Sequence, residues 1–327
     1  MYGSVLLLLP FNNGLNYFYL FYFPIIVNLI FVIVIFSHFN LKNFKELLLC
    51  FVFIFNPSTL LIMERLNFDI LIFLIIIILC YLRSNILNFF FITFLTLAKF
   101  YPIVISSLFF LGKKQKNLRI SYIFFTIFII CVGYFLYLDK NNIIKIFDNR
   151  LQFSANYYWS FYFLSLNKII VLRNIFSEKT LLFFSLFLCF IFIFYGFSFI
   201  KKYFNQGLYD FNYNNSLFLI SGTVLVSTYF TFNNWTYREI FIFGLIPFIL
   251  FHSLNNNSFK FLLNFIIFRF VFFSISSYYS IFHSNDYLLI LQKTLDICFI
   301  SFITGILLFL YLKIFISCLP KKSITMI

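Results

Sequence analysis

The sequence predicts an all-α polytopic membrane protein of about 9–11 transmembrane helices. Three observations carry this. The 327 residues are 63% hydrophobic, with mean hydropathy +0.99. Only 10% are charged, against about 25% in soluble domains. Apolar stretches of about 20 residues, the length that crosses hydrocarbon as a helix, recur along the whole chain. No soluble domain and no internal repeat is visible, so residues 1–327 read as one integral membrane domain.

The elements follow in order. Segment 2–11 is apolar but too short to span alone, and 17–37 is the first stretch of spanning length. Stretch 47–63 contains Asn56-Pro57, where a helix irregularity is expected because proline removes a backbone donor. Stretch 70–83 follows the charged word ERLNFD (64–69). Stretch 86–111 contains AKFYP, with Lys99 in mid-span and Pro102 just after it. It is expected to break near Lys99–Pro102 into two half-helices that return to the same side. A mid-span lysine costs about 2.5–3.5 kcal/mol on insertion scales, and broken helices are tolerated where they are buried or line a cavity. Stretches 118–138 and 180–200 flank a loop, 139–179, whose aromatic and amphipathic part YYWSFYFLSLNKIIV (157–171) suits an interfacial helix. Stretches 214–231, 238–254, 260–281 and 288–316 complete the set.

Lysine and arginine set the orientation. The loop GKKQKNLR (112–119) has four bases and no acid, which places it in the cytoplasm. With the break at Lys99, 13 Lys/Arg and two acids then lie inside, against 8 bases and seven acids outside. That asymmetry favours the broken helix over a continuous one, which would turn ERLNFD to the cytoplasm. The net charge of +14 is thereby explained as topology, with no nucleic-acid surface. The six cysteines sit in apolar stretches without CxxC spacing, and the three histidines are far apart, so no metal site or cofactor is legible.

On this topology the polar residues of interest share the external side. They are Glu64, Asn67, Asp69, Lys99, Tyr101, Tyr237 and Arg238, together with the 139–179 loop. Each has a bland alternative. Asp69 heads an apolar run and suits a helix N-terminus, Lys99 could snorkel, and Arg238 could pair with its neighbour Glu239. Acids, amides and isolated bases in an apolar shell also suit transfer of a lipid-linked sugar. An acceptor hydroxyl needs a carboxylate base, and a leaving phosphate needs a cation.

The words NPSTLLIMERLNFDILIF and LTLAKFYPIVISSLFFLGKK, and the later NNWTYREIFIFGLIPFIL, resemble the polyprenol-phosphate-mannose-dependent mannosyltransferases of glycosyltransferase family 87, multi-span enzymes of the GT-C class. Asn56-Pro57, Glu64-Arg65, Asn67, Asp69, Lys99 and Tyr101-Pro102 match in order and spacing, and Tyr237, Arg238 and Pro247 match in the later word. The resemblance implies a GT-C-like fold in the cell (inner or plasma) membrane, a polyprenyl-phosphate-sugar donor, a lipid or glycan acceptor, and inversion at the anomeric carbon. It implies substrate-binding roles for Asn67, Lys99, Tyr101, Tyr237 and Arg238, and, with the family's own base not among the matched residues, a catalytic carboxylate that Asp69, Glu64 or an acid of the 139–179 loop would have to supply.

Leu66 stands where the family has glycine, and Thr236 where it has an acid. The opening MYGSVLLLLPF resembles the start of the family's second span. The family's first external loop, which carries its presumed base, is therefore expected upstream, in a reading frame that starts earlier. The competing expectation is a short, inactive homologue. A transporter or flippase of lipid-linked saccharide, using the same outward cavity, is the alternative of another class.

Overall fold

The computed structural model describes residues 22–38, 43–64, 68–82, 84–99, 101–111, 115–138, 140, 170–203, 212–231, 236–254, 256–282 and 286–318. Asn67 and most of the expected interfacial helix at 157–171 lie outside the described residues. Among the described residues the protein is all-α, with no strand. Its helices are α1 (Phe23–Ser37), α2 (Phe44–Ile54), α3 (Pro57–Glu64), α4 (Phe68–Leu82), α5 (Asn85–Ala98), α6 (Gln115–Leu138) and α7 (Ile170–Ile175). They continue as α8 (Glu178–Tyr203), α9 (Tyr213–Thr231), α10 (Ile246–Ser253), α11 (Asn257–Phe282) and α12 (Asp286–Cys318). Two 3-10 helices, Tyr101–Phe109 and Thr236–Leu245, interrupt the series.

This is an all-α polytopic membrane protein. Leu118–Leu138, Glu178–Lys202, Asn257–Ile275 and Ile290–Ile316 are long and apolar enough to cross a membrane, and Phe23–Ser37, Phe68–Leu82 and Asn85–Ala98 are shorter apolar helices. The described helices of spanning length are thus fewer than the ten apolar stretches of the sequence. Proline accounts for the interruption of 47–63 and 86–111, because its ring clashes with the carbonyl four residues back and it lacks a donor. At Asn56-Pro57 the chain bends by 55° between Glu46–Ile54 and Pro57–Met63. Asn56 caps the new helix, its Oδ1 accepting the Ser58 N–H at 2.9 Å, while proline takes the first helical position, where a missing N–H costs nothing. Pro247 stands in the first turn of α10, where the second 3-10 helix gives way to α-helix.

The break at AKFYP has the expected form. Helix α5 ends at Ala98, and Lys99 is extended, with φ −143° and ψ 131°. Ala98 is the residue whose carbonyl the Pro102 ring would strike in a continuous helix. The chain then reverses. Asn88, early in α5, donates from Nδ2 to the carbonyl of Leu108, late in the 3-10 helix, at 3.5 Å. The two pieces therefore run antiparallel. Asn85 reaches Ser121 of α6 at 3.4 Å, and Phe89 meets Phe124 at 5.9 Å between ring centroids, so α5 and α6 run parallel with the 3-10 helix returning between them.

The core centres on α9, which packs against both 3-10 helices, α4, α10 and α12. Its Leu217, Phe218, Ile220, Val224, Leu225 and Tyr229 are fully buried. Helices α8 and α12 form the most extensive pair. They approach backbone to backbone: a side chain at Gly196 would overlap the Phe302 carbonyl, and one at Gly305 the Ile193 carbonyl. Small residues permit this approach where lipid provides no hydrophobic drive between helices. The opposite face of α8 presents Phe183, Phe187, Phe190 and Phe194 outward, as a lipid-facing surface does.

Candidate functional site

Four of the residues singled out in the sequence meet at one carboxylate. Asp69 lies in the first turn of α4 and is fully buried. An acid is favoured there by the helix dipole, but its side chain is engaged at long range. Lys99 Nζ lies 2.7 Å from Asp69 Oδ1, and the Tyr101 hydroxyl donates to the same oxygen. Arg238, in the second 3-10 helix, places Nε 3.8 Å from Asp69 Oδ2 and its guanidinium carbon 4.6 Å from the Tyr101 ring centre. The latter is a cation–π distance.

Local structure explains each placement. The extended backbone at Lys99 ends α5 and turns the side chain inward instead of toward an interface, so Lys99 does not snorkel and is 3% exposed. Tyr101 begins the returning 3-10 helix. Burying a lone lysine or aspartate is costly, whereas a hydrogen-bonded pair is tolerated. Lys99 and Asp69 satisfy one another in this way. Among the described residues two cations, Lys99 and Arg238, face the Asp69 carboxylate. Arg238 is the more accessible cation at 13% exposure, and it is held only at 3.8 Å. The arrangement suits an anionic group.

The remaining expected residues are placed less fully. Glu64 closes α3 and Tyr237 lies in the second 3-10 helix, each described in its backbone only, and Asn67 lies outside the described residues. Among the described residues no group of three or more His, Cys, Asp or Glu is arranged to hold a metal.

The alternative pairing of Arg238 with Glu239 is not what forms. Glu239 turns the other way, into a second buried cluster. Its Oε1 accepts from Arg269 Nη2 of α11 at 2.8 Å. Arg269 Nε donates to Asp296 Oδ1 of α12 at 2.9 Å, and Nη2 reaches the same oxygen. Successive residues of a 3-10 helix point about 120° apart, which separates neighbours into different surroundings. Glu239, Arg269, Asp296 and Lys293 are all 3% exposed or less. The sequence carried a signal for this cluster. Arg269 interrupts FIIFRFVFF, and Lys293 and Asp296 lie three apart in the last span. Charges inside spans find partners with one another, and a spacing of three shares a helix face.

A hydroxyl network ties the first 3-10 helix to the core, with the Tyr311 hydroxyl 3.1 Å from Ser107 Oγ and 2.8 Å from Thr223 Oγ1. Asn56 Nδ2 donates to Ser274 Oγ at 3.4 Å, joining the bend at Pro57 to α11. Comparison of the chain with protein-family models, curated proteins and solved structures gives no match.

Proposed function

We propose that this protein is a membrane glycosyltransferase that moves a hexose, mannose by resemblance, from a polyprenyl-phosphate donor to a lipid or glycan acceptor at the outer face of the cell membrane. The observation that carries the reading is the meeting of Asp69, Lys99, Tyr101 and Arg238, drawn from three separate sequence words, at one site where two cations face a carboxylate. In this reading the acceptor hydroxyl oxygen attacks the anomeric carbon. A new C–O bond forms as the bond from that carbon to the phosphate oxygen breaks, with inversion, and polyprenyl phosphate leaves with the electron pair.

Arg238 meets the phosphate, since a guanidinium fork matches phosphate oxygens. Asp69 has one oxygen committed to Lys99 and Tyr101 and so serves to hold the cations in place. The hydroxyl proton then goes to another carboxylate, for which Glu64 at the end of α3 is the candidate base. Asn67 and Tyr237 are assigned to the sugar or acceptor, and the polyprenyl tail lies along apolar helix surfaces among membrane lipid.

The test is transfer of labelled mannose from polyprenyl-phosphate-mannose in membranes containing the protein or its Asp69→Ala and Arg238→Ala variants. Both variants should be inactive. Unchanged turnover in both would refute the site, and lipid-linked saccharide crossing vesicle walls without a new glycosidic bond would favour a transporter instead.

A further inference from the structure

Arg238 and Glu239 are chain neighbours of opposite charge, yet each serves a different cluster. Left alone, two such side chains in an apolar setting attract one another, because in low dielectric an ion pair is the cheapest state for both. The 3-10 helix starts the two side chains about 120° apart, and a partner on the far side keeps Glu239 there against that attraction. The second cluster supplies it. Arg269 grips Glu239 Oε1 at 2.8 Å and is itself fixed by Asp296 through Nε at 2.9 Å and through Nη2. All three are at least 98% buried, so solvent does not weaken the grip. Lys293 lies near enough to Asp296 and Glu239 to interact with both, adding to the attraction on that side. Arg238, by contrast, has an Nε that makes no hydrogen bond among the described residues and stands 3.8 Å from the Asp69 carboxylate.

We infer that Arg269, braced by Asp296, is a positioning residue that keeps Glu239 turned from Arg238 and so leaves the Arg238 guanidinium available to an anionic ligand. This rests on the phosphate-binding reading of Arg238 above and extends it to three residues outside the first cluster. Without Arg269, Glu239 keeps the attraction of Lys293 but loses its hydrogen-bonded partner. Its carboxylate then draws on Arg238 and weakens the hold of that guanidinium on an anionic ligand.

The experiment is a double-mutant cycle on the full chain in lipid nanodiscs, reading affinity for farnesyl phosphate, with farnesol as uncharged control. Arg238→Gln should weaken farnesyl phosphate and leave farnesol unchanged. Arg269→Gln should do the same, by about tenfold, within the range of coupling between interacting residues. The double variant should bind no worse than Arg238→Gln alone. Arg269→Lys, whose single ammonium cannot fork between two carboxylates, should fall between wild type and Arg269→Gln, and it carries the same cycle if Arg269→Gln does not fold.

If Arg238→Gln leaves farnesyl phosphate binding unchanged, the functional reading fails and the inference with it. If Arg238→Gln weakens binding but the Arg269 effect adds fully to it, or lowers farnesol affinity equally, the positioning role alone is overturned.

Discussion

Replacing Lys99 by methionine removes the cation nearest a fully buried carboxylate while keeping the length of the side chain. Breaking a buried ion pair by removing one partner costs about 3–5 kcal/mol, because the other charge is left uncompensated. Two features of the site place this variant at the lower end. The Tyr101 hydroxyl still donates to Asp69 Oδ1. Arg238 also remains 3.8 Å from Oδ2, compared with 2.7 Å for the lost lysine, and Coulomb attraction scales inversely with distance, so it retains about seven-tenths of the pull at equal dielectric. A loss of about 3 kcal/mol is expected. Asp69→Asn belongs at the upper end, about 5 kcal/mol, since Lys99 at 3% exposure then loses the carboxylate 2.7 Å away. The double variant Asp69→Leu/Lys99→Met removes both charges and should cost less than Asp69→Asn alone, as apolar replacement of a buried pair often does. Equilibrium unfolding in mixed dodecyl-maltoside and SDS micelles, followed by circular dichroism, measures all three. A Lys99→Met loss below about 0.5 kcal/mol, the scale of an exposed pair, would refute the claim that these charges depend on one another.

Three further outcomes test the fold. Gly196→Leu should part α8 from α12, because the new side chain meets the Phe302 carbonyl; overpacking of this kind costs about 1–3 kcal/mol or more, read as loss of the monodisperse peak in fluorescence-detected size-exclusion chromatography. Asn56→Ala should cost about 1–2 kcal/mol in the same micelle unfolding, through loss of the cap on Ser58 and the bond to Ser274. With the six native cysteines replaced, Ser84→Cys and Gln115→Cys should react with an impermeant maleimide from the same side of the membrane. Labelling from opposite sides would contradict the reversal at Lys99.

Much of this architecture was legible because the informative residues are rare in the chain. Pro57 and Pro102 mark where α-helix cannot continue, and α2 and α5 end three and four residues before them. The pairing of Lys99 with Asp69 is the structure's finding, whereas Lys99 in mid-span already read as a costly charge that forces a break. That reasoning uses only the cost of an unpaired charge, which holds wherever the helices fall.

Pairing among several charges is another matter, because proximity in sequence and proximity in space separate once the local helix type changes. The stretch 238–254 read as one apolar span, and in an α-helix neighbouring residues already diverge by about 100°. Observed as a 3-10 helix over Thr236–Leu245, it turns each residue further from the last. Hydropathy does not report that change, since the same apolar residues line either helix. Arg269, already fixed by Asp296, then competes for Glu239 against a single partly exposed Arg238. The more deeply buried side wins, because there the alternative for Glu239 is an unsolvated charge. The Arg238–Glu239 peptide thus joins two charge clusters that would otherwise be independent, so a substitution in one is expected to be felt in the other.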